Sequence, residues 1–238
     1  MYRKLIKFVG RFVDSFVFDS LKIRECPICG WTGMRFRTNW HPIKARFDCV
    51  CPKCGSYERH RLSYYLLKDR LKNIGDVFHV APEPMIEKWL KKHSRSYISG
   101  DIDEGSADRK EDLTALSFKD ESFDLIYCSH VLEHIPADIE ALKEIYRVLK
   151  SGGLAIVQVP IWGEESIEGD VSMTAETREK LFFQKDHVRL YGHDLSNRIT
   201  SCGFRLETLS IFELDQEVVL RHSLNYPSTN EVFLCHKS

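Results

Sequence analysis

The chain has 238 residues, 43% of them apolar and 29% charged, the balance of a soluble globular protein of one or two domains. That composition excludes global disorder, a collagen-like repeat and a disulfide miniprotein. The formal net charge of −1 hides an asymmetry: residues 1–62 hold 13 Lys/Arg against 5 Asp/Glu, a balance of +8, and the rest holds 21 against 30, a balance of −9. A basic segment on an acidic body points to an anionic partner.

At the start of the chain, Leu5, Phe8, Val9, Phe12, Val13 and Phe16 recur at helical spacing among Arg3, Lys4, Lys7 and Arg11. Residues 1–23 are therefore expected to form a basic amphipathic helix. It would dock on its own protein or a second subunit, or make peripheral membrane contact through residues 1–21. No run approaches ~18 uninterrupted apolar residues, and no small-residue cleavage site appears, so neither a spanning helix nor a secretory signal is expected.

Residues 24–60 read as a separate small module. CPICG and CPKCG are two tight turns, with 21 residues between Cys29 and Cys51. Each turn points two sulfurs at one centre, and the glycine supplies left-handed backbone. Cys26, Cys29, Cys51 and Cys54 are expected to hold one structural Zn²⁺ in a closed tetrahedral site with no position left for water. Cys49 lies close by, but the CPxCG context selects Cys51 and Cys54; a pair of redox dithiols is the alternative. Cys128, Cys202 and Cys235 sit singly in apolar runs, as buried free thiols do. The pattern fits a reducing, cytoplasmic compartment.

From residue 74 short apolar strands alternate with helical segments, the pattern of a βαβ sheet. Strands are expected at 77–80, 97–100, 123–128, 154–159, 204–212 and 232–236, and helices at 85–92, 137–150 and 194–201. Ser151-Gly152-Gly153 is expected to close the second of these helices with glycine at its C′ position. The acidic segment 161–173 reads as a lid or as a surface connection.

The run DLTALSFKDESFDLIYCSHVLEHIPADIEALKEIYRVLKSGGLAIVQVP, residues 112–160, resembles the centre of the class I S-adenosylmethionine-dependent methyltransferases. That family has there a carboxylate, an SFD strand, a VLEH helix start and an LKPGG turn. The resemblance is good over about 74–160 and looser over 180–238. It implies an α/β, Rossmann-like sheet of seven strands in the order 3-2-1-4-5-7-6 over residues 61–238, with S-adenosylmethionine at the carboxyl ends of the strands. It assigns Asp101 to the ribose hydroxyls and Asp112 to the adenine amino group, with the Leu113 backbone against the ring. Ser129 and His130 would border the methionine part and the methyl group.

One stretch departs from the family. Its glycine-rich first motif is here FHVAPEP, with Ala81 at the first glycine and Glu83 at the second. Pro82 and Pro84 are expected to push Ala81 and Glu83 toward extended backbone, with Glu83 facing the cofactor's ammonium. A narrower resemblance is to bacterial methyltransferase-domain proteins that share CPxCG…CPxCGSxERHR, HVAPEP and DHVRxYG; here SYERHR stands at 56–61, HVAPEP at 79–84 and DHVRLYG at 186–192. Some of those proteins are associated with surface-polysaccharide assembly, which implies a small-molecule or glycan acceptor.

Methyl transfer to a hydroxyl needs positioning and a base. His187, within Asp186-His187-Val188-Arg189-x-Tyr191, is the first candidate and His130 the second. Alternatively this segment is a structural loop in which Arg189 pairs with a carboxylate, and His134 reads as helix-stabilising. Two other functions are compatible with the sequence. In one, the basic zinc module holds RNA through Trp31, Trp40, Arg59, His60 and Arg61. In the other, the fold is a non-catalytic scaffold that has lost its cofactor turn.

Overall fold

The computed structural model describes residues 23–40, 45–170, 172–226 and 228–238. The amphipathic helix expected at the start of the chain lies outside them, apart from Ile23. The first described unit is two small antiparallel pairs, β1 (Arg24–Glu25) with β2 (Thr32–Gly33) and β3 (Arg37–Asn39) with β4 (Arg46–Val50). Helix α1 (Glu58–Leu67) leads from this unit into the body.

The body follows in chain order: β5 (Ile74–Val80), α2 (Pro84–His93), β6 (Ser94–Asp101), β7 (Arg109–Lys110), β8 (Phe123–Ser129), α3 (Asp138–Val148), β9 (Leu149–Gln158), β10 (Ile167–Glu168), α4 (Ala175–Phe182), β11 (Arg189–Leu190), α5 (Leu195–Ser201), β12 (Arg205–Ser210), α6 (Gln216–His222) and β13 (Glu231–His236). Seven strands form one sheet in the order β12-β13-β9-β8-β5-β6-β7. β5 to β9 pair in parallel, and β13 runs antiparallel to both β9 and β12. Numbered within the sheet alone, this is the expected 3-2-1-4-5-7-6.

Side-chain alternation divides the central strands between two cores. Phe78, Ile126, Cys128, Ala155 and Val157 face α3 and α5, against Leu142, Ile145 and Ile199. Val77, Leu125, Tyr127 and Ile156 face the other way, against Leu62 and Leu67 of α1, Trp89 and Leu90 of α2, and Val219 of α6. Both faces of the parallel strands are covered, which leaves the strand ends as the place for chemistry. Among the described residues no helix is long and apolar enough to cross a membrane.

One boundary differs from expectation. Helix α3 stops at Val148, and Leu149 is already extended, so Gly152 (φ 76°) lies inside β9 rather than at a helix C′ position. The cause is tertiary pairing: Gly152 N–H donates to Lys237 O at 2.9 Å, and Lys237 N–H donates to Gly153 O at 3.0 Å.

Candidate active site at the carboxyl ends of the sheet

The two CPxCG turns close as their sequence dictates. Gly30 N–H bonds Cys26 O and Gly55 N–H bonds Cys51 O, each at 2.9 Å, with φ of 68° and 75° at the two glycines. The Cys26–Cys54 and Cys29–Cys51 sulfurs lie 3.7 and 3.6 Å apart. A Zn–S bond of about 2.3 Å in a tetrahedron sets sulfurs about 3.8 Å apart, so the four thiols fit one such ion. The hydrogen bond between Cys26 and Cys54 raises the pKa of Cys26 and lowers that of Cys54, and burial raises Cys29.

Helix α1 ties this module to the sheet. Arg59 donates to Glu83 Oε1 at 2.7 Å, and His60 Nε2 meets the same oxygen. His60 Nδ1 accepts from Tyr57 N–H at 3.0 Å, so its Nε2 carries the proton. Burial raises the Glu83 carboxyl, but His60 and Arg59 outweigh that and hold it at about 2. Glu83 Oε2 is buried and has no hydrogen-bond partner among the described residues.

The turn after β5 corrects one expectation. Glu83 is extended (φ −100°, ψ 124°), but Ala81 takes φ 48°, left-handed rather than extended backbone. Its N–H reaches Gly100 O at 2.8 Å, so pairing to the neighbouring strand overrides the preference set by Pro82. Around it, Asp101 ends β6 and accepts from Asp103 N–H at 2.9 Å. Asp112 is exposed, and its carboxylate accepts from Thr114 N–H and Oγ1 at 2.8 and 2.7 Å, which lowers its pKa. The Leu113 side chain is buried in the core. Ser129 closes β8 and donates to Gln158 Oε1 at 3.3 Å. His130 follows with φ 57°, its N–H held by Gln158 O at 2.7 Å; left-handed backbone at a non-glycine residue is strain that the surrounding structure must hold.

The 3₁₀ turn Leu132–His134 and the DHVRLYG segment meet here. Arg189, buried, donates to the Leu132, Ile135 and Pro136 carbonyls at 3.2, 2.5 and 2.8 Å and to Glu168 Oε2 at 3.0 Å. Tyr191 donates to Asp138 Oδ2 at 2.8 Å, and Val188 N–H to Glu133 O at 2.9 Å. These bonds bring the His187 and His134 rings to 4.7 Å, edge to face. His130 Nδ1 lies 3.2 Å from Glu133 Oε1, and His134 Nδ1 lies 3.2 Å from Asp186 Oδ2. Burial lowers the His187 pKa, which keeps its imidazole neutral near pH 7. The segment after β9 is held down as well. β10 pairs with β11, and Gly192 packs so closely that an added Cβ would sit 2.5 Å from the Glu165 carbonyl carbon.

The structure thus groups Ala81–Glu83, Asp101, Ser129, His130 and His187 at one end of the sheet, with the four cysteines apart from them. Sequence reasoning overlooked Glu133, gave His134 a helical role, and offered His60 and Arg61 to RNA although both are buried. The spacing His130-x-x-Glu133-His134 was the available signal, since positions three and four apart share one face of a helical turn.

Residues 67–157 match the methyltransferase-domain family. Among solved structures, an S-adenosylmethionine-dependent methyltransferase from Mesorhizobium loti is 14% identical and covers 74% of this chain and 98% of its own, with a TM-score of 0.55. One from Archaeoglobus fulgidus is 16% identical over 78% and 96% of the two chains, with a TM-score of 0.53. The 4+2 cyclase SpnF shares the fold too, at 13% identity, 75% and 80% coverage and a TM-score of 0.52. An uncharacterized Methanocaldococcus jannaschii protein, MJ0638, is 52% identical over 44 residues, which span 18% of this chain and 19% of that protein. The chain is therefore similar to less than a fifth of that relative's length. Residues 67–157 carry a methyltransferase-domain sequence within a class I methyltransferase fold.

Proposed function

We propose that the chain is an S-adenosylmethionine-dependent methyltransferase acting on a hydroxyl of a small or sugar-like acceptor. The observation that supports this reading is the convergence of the Ala81–Glu83 turn, Asp101, Ser129 and the His130/His187 imidazoles at one end of the sheet. The cofactor fits on two counts: Ala81, at the position of the family's first glycine, takes left-handed backbone with only a methyl side chain, and Glu83 keeps one buried oxygen unpaired. When bound, S-adenosylmethionine supplies an electrophilic methyl group. In this reading Asp101 holds the ribose, and Asp112 with the Leu113 backbone holds the adenine. Ala81 and Pro82 cradle the amino acid part, Glu83 Oε2 accepts from its ammonium, and Ser129 and His130 border the methyl group. The bound cofactor would give its methyl group to the acceptor oxygen, leaving the electron pair on sulfur, and His187 or His130 would take the hydroxyl proton. Zinc on the four cysteines is structural, and the protein works in the cytoplasm, with residues 1–21 available to a membrane surface.

Trp40 and Phe47, 76% and 67% exposed and edge to face at 6.1 Å, favour a second reading in which the acceptor is RNA stacked on the zinc module. Affinity for RNA that falls steeply with salt would support it.

Calorimetric titration with S-adenosylhomocysteine tests the main reading. Binding on the order of micromolar is expected, weakened about tenfold or more in Asp101→Ala, where one charged hydrogen bond is lost. No binding to the zinc-loaded wild type overturns it and leaves the scaffold.

A further inference from the structure

Apart from the four cysteines, one group among the described residues has the make-up of a metal centre. Glu133, His134 and His187 each offer a ligand atom, and these atoms lie within 4.8 Å of one another. Glu133 is 1% exposed and His187 3%. Glu133 Oε2 and both His187 ring nitrogens have no hydrogen-bond partner among the described residues, and Glu133 Oε1 meets His130 Nδ1 at 3.2 Å. A protein avoids burying a carboxylate and an imidazole in this state unless something else completes them.

The frame that presents these groups is held independently of them. Glu133 and His134 are consecutive in the 3₁₀ turn, and Arg189 holds the segment around them by the Leu132, Ile135 and Pro136 carbonyls. His187 precedes Val188, whose N–H is bonded to Glu133 O. Asp186 Oδ2 sits 3.2 Å from His134 Nδ1, a carboxylate–imidazole contact of the kind that orients metal-bound histidines.

We propose that Glu133, His134 and His187 bind one divalent transition-metal ion, whose open positions take the acceptor's hydroxyl oxygens. Two imidazoles and one carboxylate suit Zn²⁺, Fe²⁺ or Mn²⁺ better than Ca²⁺ or Mg²⁺. Three protein ligands leave positions free, as in catalytic rather than structural sites. The binding site stands on geometry alone, while its role rests on the methyltransferase reading. The ion acidifies the bound hydroxyl, His187 becomes a ligand rather than the base, and His130 takes the proton as the O–C bond forms and the C–S bond breaks.

The test is titration of the full chain with Co²⁺ after metal removal under reducing conditions. Wild type is expected to take up two equivalents. One brings intense thiolate-to-metal absorption from the four cysteines, and the other only the weak bands of nitrogen and oxygen donors. His187→Ala and Glu133→Gln should each lose the second equivalent and keep the first, whose thiolate absorption reports that the variant still folds. His134→Ala should weaken the second by about tenfold or more. Uptake of one equivalent by wild type, or a second equivalent that survives in both His187→Ala and Glu133→Gln, overturns the proposal. S-adenosylhomocysteine binding is measured alongside: two equivalents of Co²⁺ without it keep the metal site and remove its catalytic role.

Discussion

Arg61 has no exposed surface and spends its guanidinium on four carbonyls. Nε bonds His222 O at 2.8 Å, Nη1 bonds Cys49 O and Ser56 O at 3.0 and 2.6 Å, and Nη2 bonds Ser223 O at 2.8 Å. Burial works against its charge; Glu58 and the Cys26 and Cys51 sulfurs support it. Arg61→Met should cost about 3–5 kcal/mol by leaving buried carbonyls unpaired, read as a lower urea midpoint at unchanged m-value. Arg61→Lys should recover part of that, because an ammonium lacks the planar fork. His79, also wholly buried, contributes to the pH dependence. Burial lowers its pKa from 6.5 to about 4, so below pH 6.5 the unfolded chain binds a proton that the folded chain refuses. Stability is complete above pH 6.5 and falls by up to about 3 kcal/mol as pH drops toward 4. Glu83 acts in a lower window: its folded pKa of about 2 lies below the ordinary 4.5, so its contribution is lost from pH 4.5 downward. Urea titrations at stepped pH should show the upper loss shrink in His79→Gln and the lower one persist.

At the level of elements, legibility followed burial. The inner parts of β5, β8 and β9, residues 77–80, 125–128 and 154–157, are apolar but for His79 and largely buried, so their positions could be read from residue type. β7 is only Arg109–Lys110, both exposed, and no apolar pattern marks it. The glycine pair after α3 was misjudged because a strand partner, Lys237, decides its conformation from the far end of the chain. The site divides in the same way. The cysteine turns are local geometry and could be read directly, whereas the Glu83 clamp and the Glu133–His187 meeting depend on contacts between distant segments. The residue type of Arg189 carried no hint that it would hold the Leu132, Ile135 and Pro136 carbonyls. Gly192 shows how tightly the segment after β9 is fixed. Gly192→Ala should displace 164–165 and cost about 1–3 kcal/mol, seen as faster proteolysis within 161–170 while the sheet stays protected.

For the whole molecule, the opening charge asymmetry now has a structural divide. The basic part of the described chain is the cysteine module and α1, and the acidic part is the sheet with its loops. Four thiolates and one Zn²⁺ would carry −2, and Arg61 lies against the backbone of that centre, so part of the basic excess serves the protein's own interior. Metal removal should therefore be felt beyond the module. Chelation under reducing conditions is expected to lower the melting temperature by about 10 °C or more and to weaken S-adenosylhomocysteine binding, because α1 loses its footing. Unchanged affinity after verified metal loss would show the two regions to be independent.

Arg59, His60 and Arg61 are consecutive, and a helix turns about 100° per residue. Neighbouring side chains of one short helix therefore grip Glu83 in the turn after β5 on one side and the cysteine module on another. An oxidant that converts the four thiolates to disulfides or sulfenic acids would release the ion. The damage would travel along α1 to Glu83 and disturb the turn proposed to hold the methyl donor, without any reagent entering that pocket.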